Sequence, residues 1–267
     1  MPSSDLIFII GRQRSGTTVF RNLLARHGAL DCDEIFHGEE NPDYPQRFYG
    51  YVWERVTAEP RYVYPLRHRG LFYDYVNKLR SVSGGRKLAM DVKYFGLNLI
   101  PQHEDMTGAS PFILDYIREK NAHVAHIIRR NKLRVHVSEE MSSVTGRWSA
   151  EKAEHVLTEK PKLQIDVKQA LQFIDRLIQQ DDRVKTMLAT IPMVARLYYD
   201  EMFTEGGLFS EHVQDVAARF MDLDEVDPKP GNLKMNPEGL HELVGNYDEL
   251  AQALQGTRHE WMLTSKD

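Results

Sequence analysis

The chain carries one cysteine, Cys32, in 267 residues. A lone thiol excludes an internal disulfide and any cysteine-built zinc cluster. No apolar run approaches the roughly 20 residues that a helix needs to cross a bilayer. The first apolar stretch, residues 6–10, halts at Gly11. The largely polar residues 1–5 ahead of it bring no charged leader, so a signal peptide is not expected. Positive charge is not in excess either. The formal net charge is −5, which disfavours general nucleic-acid binding, and any anion site has to be a local basic cluster in a mildly acidic whole. Internal repeats and low-complexity segments are missing too. These absences point to the cytoplasm of a cell that keeps its thiols reduced, with no nucleic-acid partner and no transmembrane segment.

What is present suits one large domain spanning residues 1–267. Hydrophobic residues make up 42% and charged residues 27%, ordinary for a globular protein and wrong for a disordered one. Residues 6–10 (LIFII) read as a short buried strand. Residues 11–18 read as a turn. Residues 17–27 read as a helix with Phe20, Leu23 and Leu24 on one stripe, and Gly28 sits where a helix-ending glycine belongs. Further strands are predicted at 87–94, 123–128 and 194–199. Further helices are predicted at 111–120, 131–145, 162–187, 208–221 and 237–254. Residues 41–75 are rich in Pro, Tyr, Arg and Gly and read as irregular structure with some helix. Strands alternating with helices predict an α/β fold, a P-loop-like parallel β-sheet flanked by helices on both faces.

Gly11-Arg12-Gln13-Arg14-Ser15-Gly16-Thr17-Thr18 has the glycine spacing of a phosphate loop. Glycines let backbone N–H groups converge on phosphate oxygens, and the helix that follows adds the positive end of its dipole. The lysine that follows the second glycine in nucleoside triphosphatases is replaced by Thr17. Without it the β- and γ-phosphates of a triphosphate lose their main cation, which argues against an ATPase or GTPase. Arg14 supplies a cation inside the loop instead. A second basic segment follows the strand at 123–128. Arg130 is placed at the strand end and Ser138 about two turns into the next helix, so both can reach one phosphate, through a two-pronged guanidinium and a hydroxyl.

With both segments in hand, the sequence resembles the sulfotransferases that use 3′-phosphoadenosine 5′-phosphosulfate (PAPS) and release 3′-phosphoadenosine 5′-phosphate (PAP). It is most similar to their bacterial carbohydrate and glycolipid branch. Arg14-Ser15-Gly16-Thr17-Thr18 matches the family loop that binds the 5′-phosphosulfate, and Arg130 with Ser138 matches the arginine–serine pair that binds the 3′-phosphate. Asp33-Glu34-Ile35-Phe36-His37 looks like the family's acidic segment, in which a glutamate is the base for the acceptor hydroxyl. Tyr199-Asp200-Glu201-Met202 is similar to a segment ending a later family strand. Residues 229–246, with Lys234, look like the C-terminal donor-covering segment. The resemblance thus implies donor contacts from Arg12, Arg14, Ser15, Gly16, Thr17, Thr18, Arg130, Ser138, Tyr199 and Lys234. It also implies catalytic roles for Arg14 and Glu34, a donor-covering loop at 222–246, and an acceptor-side insertion at 41–105, where the match is weak.

In such chemistry the acceptor oxygen attacks sulfur in line, and charge builds on the bridging oxygen of the departing phosphate. Arg14 is the candidate for that oxygen. It cannot deliver a proton at neutral pH and acts electrostatically. Glu34 is the candidate base, with Asp33 and Glu39 as competitors. No metal is needed in this scheme. His103, His123, His126 and His136 do not read as metal ligands, because three residues along a strand place His123 and His126 on opposite faces. Lys93 is a weaker candidate for a contact with donor or acceptor, and a salt bridge between it and Asp91 is not expected from strand alternation. Arg12 is expected to face the donor, and Arg21 and Arg26 to be solvated. A P-loop kinase and a non-catalytic PAPS- or PAP-binding protein are the competing functions. The acceptor is a small molecule, a carbohydrate or a glycolipid. Aromatic residues between Tyr44 and Tyr75 could stack on it or could belong to the core. A homodimer is compatible with the sequence but not specified by it.

Overall fold

Every residue of the first strand, β1 (Leu6–Gly11), is buried, because helices cover it on both sides. The computed structural model describes residues 4–101, 110–147, 160–231 and 236–265. After β1 come α1 (Thr17–Arg26), β2 (Leu30–Glu34), α2 (Phe48–Ala58), α3 (His68–Ser83), β3 (Leu88–Lys93), α4 (Phe112–Glu119), β4 (His123–Ile128) and α5 (Lys132–Thr145). The chain ends with α6 (Val167–Leu188), β5 (Val194–Tyr198), α7 (Glu211–Met221), α8 (Leu240–Leu243) and α9 (Tyr247–Leu254). The five strands form one all-parallel sheet in the order β2-β3-β1-β4-β5. This is an α/β fold of the expected kind, with helices on both faces.

Alternation along β1 builds the two sides. Leu6, Phe8 and Ile10 join a large cluster with α2, α3, α4 and the end of α6. Ile7 and Ile9 join a second cluster with α1 and α7. Each such buried Leu, Ile or Phe contributes about 1.5–3 kcal/mol relative to exposure. A third cluster joins α5, α6, α8 and α9. The connection from β1 steps outward to β2 through α1 on one face. The connections from β2 to β3, β3 to β4 and β4 to β5 step the other way, through helices on the opposite face. Opposite steps on opposite faces are what a single crossover hand requires.

Three expectations change. The sheet has a fifth strand, β2, at an edge, in a segment whose acids concealed it. The helix expected at 162–187 begins at Val167, capped by Asp166, whose side chain accepts from the Gln169 N–H. Before it the chain is extended, and Leu163 bridges to Val244. The same bridge interrupts the helix expected at 237–254. The Gly245 N–H donates to the Leu163 carbonyl, and the Asn246 side chain bonds both backbone groups of Ile165. The aromatic residues between Tyr44 and Tyr75 divide. Phe48, Tyr51, Phe72 and Tyr75 are core, and Trp53 and Tyr64 remain exposed. Residues 88–93 of the expected insertion form a central strand. Among the described residues, no helix is long and apolar enough to cross a membrane.

Candidate active site

The sheet order places β1 beside β4, with the chain leaving their C-terminal ends toward opposite sides. A parallel sheet opens a crevice at such a point. The glycine loop enters it from β1, and the segment following Ile128 enters it from β4.

The loop is built by backbone conformation. Arg14 has φ 63° and Gly16 φ 93°, both left-handed. The buried Ser15 turns its hydroxyl inward, donating to the Arg12 carbonyl at 2.5 Å. Ser15 therefore braces the turn, its own N–H also donating to the Arg12 carbonyl at 3.4 Å, and the N-terminus of α1 follows directly. Gly16 admits no side chain, since a Cβ there would lie 2.5 Å from the Tyr199 ring. Thr17 is buried and Thr18 half-buried in the first turn of α1.

Arg14 Nε donates to Ser138 Oγ at 2.8 Å. The loop and α5, 124 residues apart in sequence, thus meet at one hydroxyl. Asn236 Nδ2 also approaches Ser138 Oγ, at 3.4 Å, and Arg134 Nη1 donates to the Glu238 carbonyl at 2.7 Å. The C-terminal segment therefore comes down on α5 beside the loop. Lys234 lies outside the described residues, as does His103.

Arg130 takes another direction. Its guanidinium is paired with Asp200 and Glu201 and stacks 4.8 Å over the Tyr198 ring. It lines an outer cleft of about 450 Å³ with Tyr198, Lys132, Lys185 and Trp261. Its neighbour Arg129 points to the loop. Arg129 is buried, lies 4.7 Å over the Tyr199 ring, and donates to the Arg14 carbonyl at 3.3 Å. Reading the sequence for Arg130 alone passed over Arg129. The signal for it was alternation, since residue 129 shares the face of Ile127 and therefore of α1. Arg12 reaches across to α5 and α6. It pairs with Glu139 at 3.1 Å, reaches Gln180 at 3.1 Å and stacks on Phe173. Burial pushes the Glu139 carboxyl up, against the pull of Arg12.

Below the loop, α1 lies against β3. Thr17 and Arg21 are four residues apart on the helix, and Asp91 and Lys93 two apart on the strand. Those spacings are about 6 Å and about 6.6 Å, so the pairs align. Lys93 Nζ donates to Thr17 Oγ1 at 2.5 Å, pairs with Asp91 at 2.8 Å and reaches Glu34 Oε1 at 3.1 Å. The Lys93–Asp91 bridge overturns the expectation against it, because residues two apart on a strand share a face. Arg21 is likewise not solvated. It is buried and pairs with Asp31 at 2.7 Å, Asp33 at 2.8 Å and Asp91 at 3.4 Å. Burial opposes its charge, but the three carboxylates outweigh that and push its pKa up. Asp33 also pairs with Arg47. Burial works to raise the Asp33 carboxyl, and the two arginines overcome it and pull it down. Arg26 is exposed, as expected, near Asp227, and it also donates to the Lys229 carbonyl.

His123 and His126 do lie on opposite faces. His123 stacks on Phe220. His126 Nε2 lies 2.8 Å from the Tyr94 hydroxyl, which donates to Asp181 at 3.0 Å. Tyr94 has one proton to give, so His126 carries its own on Nε2. Burial, with the charges of Arg196, Lys185 and Lys132, pushes His126 down to about 3. Among the described residues, no group of three or more His, Cys, Asp or Glu side chains could hold a metal ion.

No protein-family model matches the chain, and no curated protein matches it in sequence. Among solved structures it is similar to a sulfotransferase domain from the curacin biosynthetic pathway, at 15% identity and a TM-score of 0.46, over 100% of this chain and 84% of that one. It is also similar to a sulfotransferase domain from the olefin synthase of Synechococcus PCC 7002, at 15% identity and a TM-score of 0.40, over 85% of this chain and 82% of that one. Likeness at this level is of architecture only, so any function assigned to the chain has to come from its own residues.

Proposed function

We propose that the chain is a sulfotransferase that moves a sulfuryl group from PAPS to a hydroxyl of a sugar, a glycolipid or a small metabolite. The observation that carries this is the 2.8 Å bond from Arg14 to Ser138. It joins the two segments that a donor phosphorylated at both ends of its ribose has to bridge. The loop amides with Gly16, Thr17 and Thr18 hold the 5′-phosphate. Ser138 takes the 3′-phosphate, with Arg130 once it exchanges its carboxylate partners for phosphate oxygens. Tyr199 walls the loop, and Lys234 belongs to the segment that covers the donor. Arg12 acts through Glu139, steadying the loop.

In the transfer, Glu34 accepts the acceptor's hydroxyl proton while the oxygen forms a bond to sulfur. The bond from sulfur to the 5′-phosphate oxygen breaks, and PAP leaves with that electron pair. Arg14 stabilises the charge on the departing oxygen. Lys93, within reach of both Glu34 and Thr17, sits between the base and the loop. A P-loop kinase would need a strand acid available for magnesium. Asp91, on the strand beside β1, is already committed to Arg21 and Lys93.

Ligand-induced thermal shifts test the donor. PAP should raise Tm by mass action without magnesium, whereas a response only to ATP with magnesium would refute the proposal. A labelled-donor screen against sugars, glycolipids and small alcohols tests transfer. Glu34→Gln should abolish turnover and leave PAP affinity within about threefold of wild type. Unchanged turnover would remove Glu34 from the role of base, and PAP binding with no transfer to any hydroxyl would favour a non-catalytic binding protein.

A further inference from the structure

We infer that Arg129 is a second phosphate-gripping residue of this site, sharing the loop-end phosphate with Arg14. The inference rests on the donor reading above and adds a ligand to it. Three placements carry it. Arg129 leaves β4 on the face that α1 covers, and its Nη1 lies 3.3 Å from the carbonyl of Arg14. Its guanidinium carbon lies 4.7 Å over the Tyr199 ring, which in turn abuts Gly16. It is therefore held against the loop by the ring on one side and the Arg14 carbonyl on the other. Arg130, the other cation of the same turn, is directed away, toward Asp200 and Glu201.

Two guanidinium groups are thus held together at the mouth of a phosphate loop. Burial first, and then the charge of Arg129, push the Arg14 guanidinium below its ordinary value. Glu139, whose charge also acts on Arg14, is bonded to Arg12. Like charges kept close in a partly desolvated place repel, and a dianionic phosphate between them removes that repulsion while accepting charge-assisted hydrogen bonds from both. Because Arg129 bonds the loop at the Arg14 carbonyl and rests on the Tyr199 ring beside Gly16, the phosphate it binds is the 5′ one.

The test uses the full chain and three probes: PAP, adenosine 5′-phosphate and adenosine 3′-phosphate. PAP is followed by isothermal titration, and the weaker monophosphates by ligand-induced Tm shifts. Arg129→Gln should weaken PAP and adenosine 5′-phosphate by about 10- to 100-fold, the value of a hydrogen bond to a charged group. It should leave adenosine 3′-phosphate within about threefold. Arg129→Lys, which keeps the charge and loses the fork, should show the same selectivity with a smaller loss. It carries the test if the glutamine variant does not fold. Weakening of both monophosphates equally, or of neither, would overturn the assignment and leave Arg129 a structural brace. If the wild type does not bind PAP at all, the donor reading fails, which is a separate result.

Discussion

Substituting alanine for Gly16 should damage both stability and donor binding, and its cost can be worked from two separable sources. The first is backbone. Gly16 has φ 93°, and an L-residue in a left-handed conformation costs about 1–2 kcal/mol. The second is contact. The new Cβ would lie 2.5 Å from Cδ2 and 2.9 Å from Cε2 of Tyr199, against roughly 3.5–4.0 Å for carbons in contact. The ring has to move by about an ångström, which costs about 1–3 kcal/mol in a packed site. Gly16→Ala should thus lose about 2–5 kcal/mol in urea unfolding. The two sources separate in a double-mutant cycle with Tyr199→Ala. Removing the ring cancels the contact and leaves the backbone strain, so the coupling should be about 1–3 kcal/mol in the direction of rescue. The displaced ring also carries Arg129, so PAP affinity should fall in Gly16→Ala. Free energies that add within about 0.5 kcal/mol across the cycle, or a Gly16→Ala protein as stable as wild type, would refute the steric account of this glycine.

Arg21→Met should cost about 3–5 kcal/mol, because it leaves the buried Asp33 and Asp91 and the half-buried Asp31 without their shared cation. A loss under about 1 kcal/mol in denaturant unfolding would show that the acids find other partners. His126 should make the protein acid-sensitive before its carboxylates titrate. Its folded pKa of about 3 lies below its ordinary 6.5, so between those values the unfolded chain binds a proton that the native one does not. Stability is complete above pH 6.5 and falls with pH down to about 3. Going from pH 7 to pH 5 should remove about 2 kcal/mol. His126→Leu should flatten that part of the pH–stability curve, and an unchanged slope would refute the assignment.

The parts of this fold that could be read from sequence are those whose signal is local. The apolar run at 6–10, the two glycines after it and the Phe20–Leu23–Leu24 stripe predict β1, the loop and α1 without outside help. β2 escaped because three of its five residues are acids, and a strand of that composition is buried only when cations arrive from elsewhere, here Arg21 on α1 and Arg47 ahead of α2. The same distant pairing made Arg21 look like a surface residue. The break between α8 and α9 depends on Leu163, some 80 residues away. At the site, residue types and spacing pointed to Arg14 and Ser138 and the family resemblance to Glu34, and the structure brings Arg14 to Ser138 and Glu34 to Lys93. Strand alternation decides which of two adjacent arginines faces the loop, and it also pairs Lys93 with Asp91, since residues two apart on a strand share a face.

The crevice between β1 and β4 exists because the chain departs from those two strands in opposite directions. On one side the route runs through β2, α2, α3 and β3; on the other it runs through α5, α6 and β5. The two walls are built from different stretches of chain, so either one can lengthen, shorten or change composition without rebuilding the other. In the proposed transferase, such a division lets the acceptor-facing surface drift while the glycine turn stays constant.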